Sequence, residues 1–285
     1  FPSVESESGN FQSYKAQINS LDIKYVKTGQ GPSLIFVHGW ANNWEGWIPI
    51  VKYLKGDYTL YLVDLPGFGD SGNLPEYSVE IASQYLGNFI KTVVGKPVSV
   101  VGLSMGSLVV AQTGLDFPNL TDCIILTGPV IKTGNLSLAA STLKYSLWFL
   151  KNFSYGETAL KKIIETRITA YALSKYMNMY KFNRFLVDTY GMIGKKKMRK
   201  EAFTQMGISV ASYDLNKVLE NYKIKTLLIY GREDKISSPD FARSNVLPKN
   251  HLLSCVDIPE AGHVVPMEKP QEVALAIKEF LTSIK

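Results

Sequence analysis

Hydrophobic and polar positions along this chain switch between two periods. Short β-branched runs near Leu34, Thr59, Val98, Cys123, Thr226 and Leu252 are apolar almost without interruption, as strands buried on both faces require. Longer stretches with helical spacing separate them, which predicts a mostly parallel central sheet with helices on both faces, an α/β class. Tyr14 to Lys27 suggests an antiparallel hairpin ahead of that sheet, and Gln271 to Ile284 a terminal helix. Between Val130 and Ser212 the alternation stops. No strand-like run occurs there, and Lys144 to Tyr190 reads as successive amphipathic helices rich in Tyr, Phe and Leu. The expected organisation is a core of residues 11–130 and 213–285, an inserted helical cap of residues 131–212, and a polar, disordered stretch at residues 1–10.

One strand breaks in an unusual way. Val98–Leu103 runs directly into Gly102-x-Ser104-x-Gly106, and Leu108, Val109, Ala111, Gln112 and Leu115 then continue at helical spacing until Pro118. Glycines on either side of a serine allow a strained turn from strand to helix that lifts the hydroxyl clear of the sheet. The helix beginning near Met105 aims its free N–H groups at the same place, where they would stabilise an oxyanion. Glycine and serine are common in ordinary turns, so the strand before the motif and the helix after it carry the argument.

A serine hydroxyl needs a general base, and the chain has three histidines. His38 ends a strand and precedes Gly39, a position that shapes a loop. His251 follows Pro248-Lys-Asn, where a solvated turn residue is expected. His263 lies just past a strand in Ile258-Pro-Glu-Ala-Gly-His-Val-Val-Pro266, on a loop from which an imidazole can reach a neighbouring strand end. The carboxylate that would orient it is Asp234, in the loop after Thr226–Tyr230. Glu233 points elsewhere by adjacency, and Asp64, at the end of the strand Thr59–Val63, reads as a loop support.

Taken together, His38-Gly39-Trp40, Asp64-Leu-Pro-Gly-Phe-Gly-Asp-Ser-Gly72, the Ser104 turn, the Asp234 loop and Ala261-Gly262-His263 resemble the α/β-hydrolase superfamily, in its branch with a helical cap, from about Tyr14 to the C-terminus. The resemblance implies Ser104, Asp234 and His263 as the catalytic set. It also implies an oxyanion hole made by the backbone N–H groups of Trp40 and Met105, with the Trp40 side chain lining an acyl pocket or simply packing. Ala41 and Ser107 stand where relatives often carry glycine. The absence of His-Gly-Gly-Gly argues against the lipase branch built on that run. Serine rather than aspartate at the nucleophile position disfavours dehalogenase and epoxide hydrolase chemistry. The expected activity is hydrolysis of carboxylic esters with an apolar acyl or alcohol part. Carbon–carbon bond hydrolysis, other cofactor-free chemistry on the same residues, and a non-catalytic ligand-binding receptor stay open as alternatives.

Charge divides the chain unevenly. Residues 131–212 hold 14 Lys or Arg against 4 Asp or Glu, whereas the remainder holds 17 against 21, so the overall +6 conceals a cap of +10 on a core of −4. Lys195-Lys-Lys-Met-Arg-Lys200 supplies five of those cations. Such a run is most often a solvated face; the sharper reading is attraction to anionic membrane lipids or to an acidic substrate. No nucleic-acid-binding motif accompanies it. Within the cap, Leu147, Trp148, Phe149, Leu150 and Phe153 are expected to pack as core, or else Trp148 and Phe149 contact substrate. Cys123 and Cys255 read as buried free thiols, and no metal site or cofactor is expected. The expected partners are a small-molecule substrate and, on the sharper reading of the basic cap, anionic membrane lipids, with no nucleic acid. No run of about 18 apolar residues would span a membrane. The cytoplasm is the default location; with Phe1 in first place, a removed targeting segment and a secreted or periplasmic location stay open.

Overall fold

A computed structural model describes residues 11–131 and 134–284, the side chains of residues 134–137 excepted; the disorder expected at residues 1–10 lies outside the described residues. Eight strands form one sheet: β1 (Ser13–Ile18), β2 (Leu21–Gly29), β3 (Ser33–Val37), β4 (Thr59–Val63), β5 (Val98–Leu103), β6 (Thr121–Thr127), β7 (Thr226–Gly231) and β8 (Leu253–Ile258). Their spatial order is β1-β2-β4-β3-β5-β6-β7-β8. The β1–β2 and β2–β4 pairs are antiparallel and every other pair is parallel.

Period-two alternation sorts the side chains onto two cores. On β3, Ile35 and Val37 face one hydrophobic cluster, while Leu34 and Phe36 face the other. The first core is closed by helices α2 (Val79–Phe89) and α3 (Met105–Asp116) through Leu86, Phe89, Leu108 and Val109. The second is closed by α1 (Ile48–Leu54) and the C-terminal helix Pro270–Ser283 through Val51, Leu54, Ile277 and Leu281. Every residue of β5 and β7 is buried, which explains why these strands read as continuous apolar runs rather than alternating ones.

The segment from β6 to β7 is helical, as its periodicity predicts. It includes α4 (Gly134–Asn152), α5 (Gly156–Ile164), α6 (Arg167–Leu173), α7 (Met192–Lys197) and α8 (Lys200–Ser212), with wider π-helical turns at Ser174–Asn178 and Val187–Gly191. This layer docks on loops at the carboxyl ends of the strands, where open α/β sheets bind ligands. The indole of Trp40, after β3, stacks on Phe203 of α8 at 4.3 Å and 9°, and its Nε1–H donates to the Phe203 carbonyl at 2.9 Å. The Arg199 N–H donates to the Gly67 carbonyl after β4 at 2.8 Å.

The layer corrects one packing expectation. Leu147 is buried at 3% exposure, but Trp148 and Phe149 are 57% and 61% exposed, and Phe153 is exposed too. The reason is geometric: α4 runs along α8 on one side only, so a single helical stripe finds a partner. Cys255 also departs from the expectation; it is only partly shielded, whereas Cys123 is buried, and both are free thiols.

Asp64 holds the loops around β4. Its Oδ1 accepts the Trp44 N–H at 2.8 Å and its Oδ2 the Asp70 N–H at 3.0 Å, while complete burial pushes its carboxyl up to about 7. Asp64→Ala leaves two shielded N–H groups without an acceptor and is expected to cost about 2 kcal/mol or more of stability, as measured by urea unfolding. A variant as stable as the parent would contradict this bracing role.

Candidate active site

Ser104 sits between β5 and α3 with φ 52° and ψ −114°, a region that a residue with a Cβ enters only when its surroundings force it. What forces it is the approach of α3 to the sheet. A Cβ on Gly106 would lie 2.3 Å from the Val37 carbonyl oxygen, and one on Gly102 would lie 2.4 Å from that of Gly106. Both sites therefore demand glycine, and the serine between them is levered outward. The Ser104 N–H donates to the Thr127 carbonyl at 2.9 Å, tying the turn to β6.

The structure brings Ser104, His263 and Asp234 together. The Ser104 hydroxyl stands 2.8 Å from His263 Nε2, and His263 Nδ1 stands 2.9 Å from Asp234 Oδ2. A carboxylate only accepts, so Nδ1–H donates to Asp234 and Nε2 is left to accept from the serine. Asp234 is held by the loop that carries it: its Oδ1 accepts the N–H groups of Ile236 at 2.7 Å and Ser237 at 3.1 Å. The side chains of His263 and Asp234 are 5% and 0% exposed, so the pair is shielded from bulk water, while Ser104 is only partly covered.

The start of α3 and the loop after β3 border the serine. The Met105 N–H opens α3, and a first-turn N–H has no partner inside its own helix. The loop carrying Trp40 is pressed against the same spot, since a Cβ on Gly39 would lie 3.3 Å from the Leu103 carbonyl oxygen and 3.6 Å from the Ser104 Cβ. Ala41 next to it has φ 56°, a left-handed backbone that explains why glycine would suit this position. Trp148 and Phe149 are placed differently: they lie on solvent-facing sides of α4, and Leu147 is the α4 side chain that meets the Trp40 and Phe203 neighbourhood.

The other histidines and acids occupy supporting positions. His38 is buried; its Nδ1–H donates to the Gly39 carbonyl at 2.8 Å and its Nε2 accepts the Leu65 N–H at 3.1 Å. Burial lowers its pKa to about 4, so the ring is neutral and clamps two loops. His251 is exposed in a turn. Glu233 turns away from His263 and accepts the Ala261 N–H at 3.1 Å.

Sequence reasoning missed Glu268 altogether. Its Oε1 accepts the Gly262 N–H at 2.9 Å and its Oε2 accepts the Tyr180 N–H at 2.8 Å, while the Val264 N–H donates to the Asn178 carbonyl at 3.2 Å. One carboxylate thus joins the His263 loop to the helical layer, and burial raises its pKa above the usual range. The contact is close: a Cβ on Gly262 would lie 2.7 Å from the Tyr180 nitrogen. A signal existed, an acid in the first turn after the loop, but its partner lies 88 residues away.

Among the described residues no group of three or more His, Cys, Asp or Glu is placed to hold a metal ion, and no helix is long and apolar enough to cross a membrane. Burial pushes the Cys123 and Cys255 thiols up to about 11.

Comparison with known proteins identifies the family. The model of the alpha/beta hydrolase fold family matches residues 32–270, and the chain belongs to that family: it is an α/β-hydrolase. Among sequence relatives, the monoacylglycerol lipase ABHD6 of Homo sapiens is 25% identical over 270 residues, covering 90% of this chain and 77% of the relative. The pimeloyl-[acyl-carrier protein] methyl ester esterase of Aeromonas hydrophila is 34% identical over 105 residues, covering 37% of this chain and 41% of the relative. Among solved structures, a putative lipase from Acinetobacter baumannii superimposes with a TM-score of 0.80 at 19% identity, over 99% of this chain and 95% of that one. A thermophilic esterase from Thermogutta terrifontis does so with a TM-score of 0.75 at 19% identity, over 96% and 99%.

The environment of His38 makes a pH-dependent prediction. Its folded pKa of about 4 lies below the ordinary imidazole value of 6.5, so its contribution to stability is complete above about pH 6.5 and is lost as pH falls toward 4. The loss should be about 3 kcal/mol at most, read from urea unfolding at a series of pH values. His38→Gln, which keeps a donor and an acceptor, should flatten that slope. An unchanged slope in the variant would assign the pH dependence to other groups.

Proposed function

We propose that this α/β-hydrolase is a serine hydrolase that cleaves carboxylic esters with an apolar acyl or alcohol part through an acyl-enzyme. The observation that carries the reading is the unbroken run of hydrogen bonds from Ser104 Oγ through His263 to Asp234, with contacts of 2.8 and 2.9 Å. That geometry suits general-base activation of a hydroxyl. The names of the sequence relatives, a monoacylglycerol lipase and a methyl ester esterase, support ester substrates.

In this mechanism Ser104 Oγ attacks the ester carbonyl while His263 Nε2 takes its proton, and Asp234 stabilises the imidazolium and keeps its ring oriented. The carbonyl oxygen becomes an oxyanion that the N–H groups of Met105 and Trp40 hold. Collapse of the tetrahedral intermediate breaks the bond to the alcohol, which leaves with the proton from His263 and gives the acyl-enzyme. Water then attacks the acyl carbon, with His263 again taking a proton, and the acid departs as Ser104 regains its hydrogen. Residues 131–212 act as the cap that covers this centre, with Trp40, Phe203 and Leu147 supplying an apolar wall.

A panel of nitrophenyl esters of increasing acyl length tests the reading, together with labelling by a fluorophosphonate. Ser104→Ala is expected to abolish both labelling and the acylation burst. Asp234→Asn should lower kcat by about four orders of magnitude, because the amide favours the wrong imidazole tautomer. Burst kinetics in the Ser104→Ala protein would overturn the proposal, as would a labelled wild-type enzyme inactive on every ester.

A further inference from the structure

Most of the large apolar side chains that α4 leaves in water share one side of it, with Leu143, less exposed at 38%, lying apart. At 100° per residue, Leu138, Tyr145, Trp148 and Phe149 share an arc of about 100°, opposite the buried Leu147. Phe153 prolongs this ridge, its ring stacked on Phe149 at 5.9 Å. Tyr155 follows at 86% exposure, on a left-handed backbone with φ 65° that is unfavourable for a residue with a side chain. Along its 19 residues α4 carries no carboxylate, and its two charges, Lys144 and Lys151, lie together along one edge of the ridge, beside Trp148.

Cations adjoin the ridge. A hollow of about 290 Å³ is bordered by Lys151, Phe153, Tyr155 and Lys200. Lys200 also borders a larger one of about 550 Å³, which Lys15, Lys161, Lys196, Lys197 and Arg199 line along with Asp70 and Glu201. Some of these charges are neutralised locally: Lys197 pairs with Asp70 at 2.7 Å, Lys200 with Glu201 at 3.4 Å, Lys15 with Asp22 at 3.7 Å and Lys161 with Glu165, and Glu157 borders the smaller hollow. Lys151 and Lys196 make no ion pair among the described residues. Neither hollow is lined by Ser104 or His263, so this surface is separate from the candidate active site.

We infer that this face of the helical layer docks on an anionic lipid bilayer, with the α4 ridge entering the headgroup region and the adjoining cations set against lipid phosphates. Aromatic side chains with a polar tip or edge are favoured at that depth, and lysines beside them gain from the negative surface potential. A soluble acidic partner would match the cations yet leave no reason for an uncharged aromatic ridge beside them. An exposed apolar patch of this kind on a folded protein marks a surface that is covered in use. The inference does not depend on the proposed ester chemistry, and Ser104→Ala protein should bind membranes as the parent does.

Co-sedimentation of the full chain with phosphatidylcholine vesicles, with and without phosphatidylglycerol, tests it. Binding is expected only to the anionic vesicles, weakening as salt is raised. Neutralising Lys151, Lys196 and Lys200 to Gln together should weaken binding roughly a hundredfold, at about fivefold per cation. Replacing Trp148, Phe149 and Phe153 by Ser should weaken it at least about tenfold. Trp148 should also report insertion: lipids brominated on their acyl chains should quench part of the protein emission, and Trp148→Phe should remove that part while preserving binding. Unchanged unfolding midpoints keep the comparison fair. Absence of binding, equal binding to neutral vesicles, or full binding by the aromatic variant would each overturn the inference; the last, with binding lost in the lysine variant, would reduce the contact to cations alone, with no role for the ridge.

Discussion

Ser104 stands clear of the sheet because helix α3 approaches the strands to backbone contact. With Gly106 against the Val37 carbonyl and Gly102 against Gly106, there is no room for side chains on either side of the turn, and the residue between them takes a backbone that would otherwise be avoided. Strain of this kind persists only in a rigid frame. Here the frame is a strand buried along its whole length, a hydrogen bond from the Ser104 N–H to β6, and helices closing both faces of the sheet. The same close packing sets the start of α3 and the loop after β3 against Ser104.

The imidazole reaches Ser104 by a different route. His263 lies on a loop fastened from two directions: Asp234, fixed by two main-chain N–H groups, orients the ring, and Glu268 fastens the backbone of the loop to Tyr180 in the helical layer. The layer therefore touches the His263 loop as well as the serine side of the cleft, where Trp40 stacks on Phe203. A shift of the layer would be felt at the His263 loop through one half-buried carboxylate. This arrangement links the insertion between β6 and β7 to the position of the His263 ring.

Outside the cleft, the layer follows other rules. One stripe of α4 is consumed by packing on α8, and its remaining faces meet water. On the outward face aromatic residues replace the charged ones usual for a surface helix, and the basic run at Lys195–Lys200 borders them through Lys200. Net charge of opposite sign on insertion and core gives the molecule a polarity that its total charge conceals.

Much of this was legible in the residues alone. Strand positions followed from apolar runs because parallel strands must be buried on both faces, and the turn at Ser104 followed from glycines at a spacing that few other local structures need. With three histidines in the chain, and one of them on a strand-end loop, the partner for the serine was nearly determined. Direction could not be read. Helical periodicity identifies stripes but not which stripe finds a neighbour, so Trp148 and Phe149 read as packed residues although they lie outward, and Leu147 between helix and core could not be told apart from them. Glu268 was silent for a related reason: its two N–H partners come from a loop six residues away and from a bend in the helical layer 88 residues away, a juxtaposition that only the folded chain creates. Local steric demands are written in the order of residues, whereas contacts between distant segments depend on how the layers settle against one another.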